Sequence, residues 1–286
     1  MKNSLYNVAD KNTLYRMSSL FTTRHILGFK PEFLYGGWSQ LESLNIKEIY
    51  ENYYKILQGN YRCEYVYKNE IVNQILLKNH KGNAKLYTEL DIHDSKADVV
   101  IMNGTSTVYE IKTELDNFDR LEKQLASYRL VFDKIYVVTH ESKLKALKKL
   151  IGKDIGIVIL NNNNVLETKR SARSNKANVE PEYIFNLLRR EEYIGIVKEC
   201  FGKTPNVPPV HIFTECKKLF RKLDPLIAHD KMVNAIRNRS ESNHRKNLFA
   251  SLPVSLKLLG LSGKLTRSEC ELLLQNLEKN SKAMCA

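Results

Sequence analysis

Residues 97–112 decide how this chain is read: Ala97-Asp98-Val99-Val100-Ile101-Met102-Asn103-Gly104-Thr105-Ser106-Thr107-Val108-Tyr109-Glu110-Ile111-Lys112. Residues 97–102 form an apolar run rich in β-branched side chains, as a central strand does. Asn103-Gly104 is a strong hairpin signal, and residues 107–112 make the returning strand. Three charges interrupt this apolar hairpin: Asp98, Glu110 and Lys112. A charge in a strand that reads as buried is costly unless something compensates it. Glu110 and Lys112 are two apart, so they project from one face of their strand. Two carboxylates gathered there offer hard oxygen ligands to a divalent cation. A lysine beside them can orient or deprotonate a water and offset charge on a phosphate.

Strand parity adds a geometric condition. A two-residue Asn103-Gly104 turn pairs Met102 with Thr105. Asp98 then faces Tyr109 and lies on the opposite sheet face from Glu110. Pairing Met102 with Ser106 instead sets Asp98 opposite Glu110, on the face that Lys112 shares. That register needs an odd loop, such as Asn103-Gly104-Thr105 with a G1-type bulge, or a bulge within either strand. A working metal site therefore predicts that the simplest hairpin reading of Asn-Gly is wrong here.

Outward from the hairpin the pattern alternates between strand and helix. Residues 64–79 have helical spacing, with Tyr67, Ile71 and Ile75 four apart. Lys81-Gly82-Asn83 breaks that helix, and residues 85–90 read as a strand. After the hairpin, Phe118, Leu121, Leu125, Tyr128 and Phe132 fall at helical intervals, with Asp116 in the N-cap place. Residues 134–139 form another strand, 142–151 a basic helix, and 156–160 a last strand. The order α-β-β-β-α-β-α-β implies an α/β fold with a mixed sheet.

Asp98, Glu110 and Lys112 on a hairpin followed by a helix and a strand resemble the PD-(D/E)XK nuclease superfamily. Gln124-x-x-x-Tyr128 on the following helix is similar to the QxxxY motif of its RecB-like members. Glu70 on the preceding helix fits the acidic residue that often joins the site. The resemblance covers about residues 64–160 and extends to an uncharacterised bacterial group of the superfamily. Ala97 stands where the motif has Pro, which removes no functional group. The resemblance implies a restriction-endonuclease-like core. It further implies Mg²⁺, with Mn²⁺ as a substitute, held by Asp98, Glu110 and the carbonyl of Ile111, with Glu70 beside them. Lys112 would assist the attacking water, and Gln124 and Tyr128 would complete the catalytic set.

Composition is compatible with that reading. The chain has 286 residues and a formal net charge of +13, from 45 Lys and Arg against 32 Asp and Glu. A basic surface attracts polyanions, nucleic acid foremost. Residues 64–160 are nearly neutral, with 15 basic and 14 acidic residues, and within them residues 89–119 hold eight acids against two bases. An acidic island in a basic chain suits a divalent metal that also faces phosphate. Lys143, Lys145, Lys148 and Lys149 read as a solvated helix face or as a track for a phosphate backbone. The five cysteines are scattered with no CxxC, against a disulfide framework or a cysteine zinc site. No long apolar run or signal-peptide core is present, so a cytoplasmic protein without a membrane partner is expected.

Four regions are expected: a helical N-terminal region (1–63), the nuclease core (64–160), a basic linker (161–179) and a helical C-terminal domain (180–286). The functional expectation is a metal-dependent nuclease acting on DNA, in phage defence, a mobile element or repair. The alternative is a catalytically inactive nuclease fold that binds nucleic acid or a protein partner. A toxin-like RNase with the same core is a third reading. Within the core, Glu89 reads as surface and Asp116 as a helix cap.

Overall fold

The computed structural model describes residues 10–28, 44–79, 84–261 and 265–280. The Gly36-Gly37 break, Trp38, the Lys81-Gly82-Asn83 break and Cys285 lie outside the described residues. The chain divides into two compact units, residues 1–77 with 241–286, and residues 78–240. These boundaries differ from the four regions expected from composition.

The first unit is helical and discontinuous in sequence. Its N-terminal part has α1 (Lys11–Ser19), α2 (Thr23–Leu27), α3 (Ile46–Asn60) and α4 (Glu64–Glu70), the last running on through a π-helical segment (Ile71–Leu76). Asn45 and Glu48 close α3 with reciprocal capping bonds. The C-terminal part returns to these helices. Asn276 Nδ2 donates to the carbonyls of Ile26 and Leu27 at 3.0 and 3.1 Å. Asn69 donates to the Val254 carbonyl at 2.8 Å and accepts from the Leu258 N–H at 2.9 Å. A buried amide that fills both roles ties the two sequence segments together more specifically than apolar packing does.

The second unit is α/β and holds a six-stranded mixed sheet in the order β1-β2-β3-β4-β5-β6. The strands are β1 (Lys85–Ile92), β2 (Ser95–Met102), β3 (Ser106–Lys112), β4 (Lys134–His140), β5 (Gly156–Leu160) and β6 (Leu166–Arg170). β1, β2 and β3 are antiparallel neighbours, β3, β4 and β5 are parallel, and β6 returns antiparallel. β6 lies inside the stretch expected to be a linker. Two helices, α5 (Leu121–Arg129) and α6 (Leu144–Leu150), follow β3 and β4. Leu121, Leu125, Tyr128 and Leu147 pack with Val100, Val108, Val137 and Ile157 in one buried cluster. That cluster also takes in residues from α7 (Pro181–Phe185), α8 (Arg190–Phe201), α9 (Ile212–Phe220) and α10 (Pro225–Arg237). The part of the expected helical C-terminal region that precedes residue 241 therefore shares this core, and the rest belongs to the first unit.

The β2–β3 register is the odd one. Val99 pairs with Tyr109, Val100 with Val108 and Met102 with Ser106. The loop is Asn103-Gly104-Thr105, with Gly104 at φ +71 and the Asn103 N–H donating to the Thr105 carbonyl at 2.9 Å. Glycine takes this left-handed conformation without steric cost. Val108, Glu110 and Lys112 therefore share the face covered by α5 and α6. On the opposite face Tyr109 and Tyr136 stack with ring centroids 5.4 Å apart. A Cβ at Gly156 would lie 2.3 Å from the Tyr136 ring, so glycine is required where β5 begins.

The hairpin end of β3 carries a polar network. The Asp133 N–H donates to Ser106 Oγ at 3.0 Å, and Ser106 Oγ lies 2.8 Å from His229 Nε2. His229 Nδ1 faces Asp230 Oδ1 at 3.3 Å. A carboxylate partner at Nδ1 makes that nitrogen the donor, which leaves Nε2 to accept from the serine hydroxyl. Asp133 Oδ2 accepts from Thr105 at 2.7 Å, and Oδ1 accepts from the Ser174 hydroxyl.

Candidate active site

Glu110 and Lys112 stand two apart on β3, and both are nearly sealed from solvent, 1% and 7% exposed. Lys112 Nζ donates to Glu110 Oε1 at 2.8 Å and to Gln124 Oε1 at 2.9 Å. The Tyr128 hydroxyl lies 2.6 Å from Glu110 Oε2 and 2.9 Å from the Lys96 carbonyl. Gln124 and Tyr128 are four apart on α5, so both project from one helix face toward the sheet. Four of the expected residues thus form a single bonded group, in which both oxygens of Glu110 are fixed.

Asp98 joins this group through the backbone. The β2–β3 pairing stops at Val99 and Tyr109. Beyond it, Asp98 Oδ2 accepts the Ile111 N–H at 2.7 Å. The side chain takes the place of the next ladder carbonyl, which holds the segment between Glu110 and Lys112. At the far side of β3, Thr139 Oγ1 donates to the Lys112 carbonyl at 2.6 Å. Lys112 is therefore anchored at both its main chain and its ammonium.

Burial pushes the Glu110 carboxyl above its ordinary range, and the Lys112 ammonium and its hydrogen bonds offset this only in part. Burial first, and the neighbouring Glu110 charge second, push the Tyr128 phenol well up. Tyr128 is accordingly a proton-bearing donor. Lys112 Nζ faces two acceptors, and as an ammonium it can donate to both. Pairing gives the buried charges partial compensation, and a cation at the carboxylates would extend it.

The donor chemistry fits a hard divalent cation. Asp98, Glu110 and the Ile111 carbonyl present oxygen and no thiolate or imidazole, the preference of Mg²⁺. Glu89 is exposed, as expected from the sequence, and its carboxylate also approaches that of Asp98. In the β1–β2 ladder it falls between the pairs Thr88–Val99 and Leu90–Ala97, opposite Asp98. A Glu89 carboxylate oxygen lies within 4.8 Å of one from Asp98. Its backbone sits at φ +54, uncommon for a residue with a side chain. The signal that could have found it is strand parity, once the tight β1–β2 hairpin is recognised.

Glu70 belongs to the other unit, and Asp116 changes from its expected role. Glu70 ends α4 in the helical unit, where Oε1 accepts from Tyr54 and Gln58, both at 2.8 Å, and Oε2 from Gln74 at 2.5 Å. Its carboxylate is held by three donors of that unit. Asp116 caps the turn after β3 rather than a helix, with Oδ2 accepting from the Thr113 N–H and hydroxyl, each at 2.8 Å. The helix begins later, at Leu121, after Arg120, which makes no side-chain cap.

A family model described as bacteriophage P4 protein cII matches residues 57–259. Protein cII of Enterobacteria phage P4 is 26% identical over 99 residues, covering 34% of this chain and 38% of the relative. The aligned stretch thus spans less than half of that relative. No solved structure matches. The family match takes in the whole sheet and every member of the bonded group, and the chain belongs to the bacteriophage P4 protein cII family.

Proposed function

We propose that this chain is a metal-dependent nuclease of the PD-(D/E)XK type that hydrolyses phosphodiester bonds of DNA, working in the cytoplasm. The observation that carries the reading is the buried Glu110–Lys112 pair, held by Gln124 and Tyr128 on one side and by Asp98 through Ile111 on the other. Any buried ion pair gathers hydrogen bonds; here they come from the other positions of the same motif, Asp98, Gln124 and Tyr128, which fixes the pair as a catalytic group must be fixed. Membership in a family described by a bacteriophage protein supports a setting on a phage or mobile element.

Mg²⁺, or Mn²⁺ in its place, would be held by Asp98, Glu110 and the Ile111 carbonyl, and when bound would supply charge stabilisation for the phosphate. Gln124 directs the Lys112 ammonium. Two N–H groups of that ammonium are occupied, so the third is available to a water or a phosphate oxygen. In this state Lys112 cannot take a proton; it positions the water for in-line attack and offsets negative charge. Tyr128 keeps Glu110 from rotating by holding Oε2. Asp98 keeps the Ile111 segment in register.

Full-length protein incubated with supercoiled plasmid, linear duplex and single-stranded DNA tests this directly. Cleavage is expected with Mg²⁺ or Mn²⁺, none with EDTA, and none from Lys112→Ala. Intact DNA under every cation, or equal cutting by Lys112→Ala, overturns the proposal.

A further inference from the structure

A cluster of cations lies on the outer surface of α6 and the turn that follows it. Leu147 turns its side chain into the core, while Lys145, Lys148 and Lys149 are exposed. Lys153 is exposed in the next turn. Arg173, also exposed, is held beside it, because its N–H donates to the Asp154 carbonyl at 2.8 Å. Among the described residues, none of these five side chains makes an ion pair. Other cations of the same unit do: Lys176 with Asp230, Lys217 with Glu182, Arg239 with Glu192. The nearby acids are few. Asp154 is engaged by Arg129 at 2.9 Å, and Glu141 stands at the entrance to α6.

Like charges at positions i, i+3 and i, i+4 repel along a helix, as Lys145 does with Lys148 and Lys149. This surface keeps that repulsion without an internal counter-charge. The helix also connects to the candidate site. Lys143, just before α6, donates to the Asp116 carbonyl. Asp116 in turn holds the Thr113 N–H and hydroxyl, immediately after Lys112.

We propose that Lys145, Lys148, Lys149, Lys153 and Arg173 form a track for the phosphate backbone of duplex DNA leading to the Glu110–Lys112 group; the inference rests on the nuclease reading. The exposed residues of α6 are Lys145, Ala146, Lys148, Lys149 and Leu150, with no aromatic side chain among them. Proteins that grip single strands use aromatic platforms on which bases stack. A rigid row of ammonium groups without such platforms reads phosphates alone, which suits the regular charge spacing of a duplex and confers no sequence preference.

The test is fluorescence anisotropy of a labelled duplex with the full chain in EDTA, across a salt series. Lys145→Ala/Lys148→Ala/Lys149→Ala is expected to bind about tenfold or more weakly. The slope of log K against log salt should be shallower by about 0.9 for each phosphate that the variant no longer neutralises. The corresponding triple Lys→Arg variant should bind like wild type. A control triple, Lys198→Ala/Lys203→Ala/Lys222→Ala, removes exposed cations elsewhere on the unit and should change little. Unchanged affinity in the ridge variant, an equal loss in the control, or tighter binding of a single strand than of the duplex each overturns the track. A parallel cleavage assay separates the two proposals. Weakened duplex binding without cleavage by wild type under any cation leaves the track standing and removes the nuclease. Normal cleavage and binding by the ridge variant does the reverse.

Discussion

The two ends of β3 both bury polar groups, but they balance them in different ways. At the hairpin end, Ser106, Asp133 and His229 form a network in which each bond joins a donor to an acceptor, and the buried imidazole is neutral. At the other end, Glu110 and Lys112 are ionised groups held in fixed orientation, and the carboxyl is raised by burial despite its ammonium partner. A network that is complete within the chain stabilises the fold. A network whose charges are only partly compensated retains a driving force for something further, which the proposed function assigns to a cation and a phosphate. Under the proposed function, the contrast separates a structural from a functional buried cluster on one strand.

The largest expected effect lies at the ionised end. Glu110→Gln should lower cleavage by about a thousandfold or more, as loss of a metal ligand or charge stabiliser does. Its thermal unfolding midpoint should also fall, because Lys112 stays buried without its partner, so rates are compared per folded molecule. Glutamine Oε1 can accept from Lys112, its amide nitrogen donates to the Tyr128 oxygen, and Lys112 is left without its counter-charge. A large loss of stability with retained activity would reverse the assignment of the two ends.

The hairpin end should behave oppositely. Ser106→Ala leaves the buried Asp133 N–H and His229 Nε2 without their partner, and should cost about 1–3 kcal/mol by chemical denaturation. Its rate per folded molecule should match wild type. A selective loss of rate would place this network in the chemistry.

Titration should sharpen the contrast at smaller scale. Burial holds His229 below its ordinary value, and the effect outweighs the pull of Asp230 and Asp133 in the other direction. Unfolded histidine titrates near 6.5, so the unfolded chain takes up the proton first as pH falls. Stability carried by neutral His229 is therefore full above about pH 6.5 and is lost below it, down to the folded value. His229→Gln should flatten the pH dependence of the unfolding midpoint between pH 7 and pH 5. An unaltered slope would mean that His229 does not titrate across folding.

The smallest effect belongs to the loop. Gly104→Ala meets open space but a φ of +71, so the cost is backbone strain alone, roughly 1 kcal/mol. Thermal unfolding should register this with the β2–β3 register kept.

Much of the sheet could be read from apolar runs, and the odd register followed from chemistry rather than from turn propensity. Asn103-Gly104 alone favours a two-residue turn; the need for Asp98 and Glu110 on one face chose the three-residue loop. β6 escaped because Leu166-Glu167-Thr168-Lys169-Arg170 is a polar edge strand without an apolar face to reveal it. Asp116 was misplaced because an Asx-type bond to Thr113 looks, in sequence, like a helix cap. Gln124 and Tyr128 were visible as a spacing, but their bonds to Lys112 and Glu110 depend on how α5 packs over β3. Glu89 reads as surface and is exposed, while its nearness to Asp98 follows from the β1–β2 register.

The central claim is that the Glu110 end of β3 hydrolyses phosphodiesters with a divalent cation. Single-turnover cleavage of an end-labelled duplex in Mg²⁺, by wild type and Glu110→Gln matched for folded protein, tests it most directly. Cleavage by wild type, abolished by the single substitution and by chelation, is the predicted result. Equal rates for the two proteins, or no cleavage by wild type in either Mg²⁺ or Mn²⁺, would contradict it.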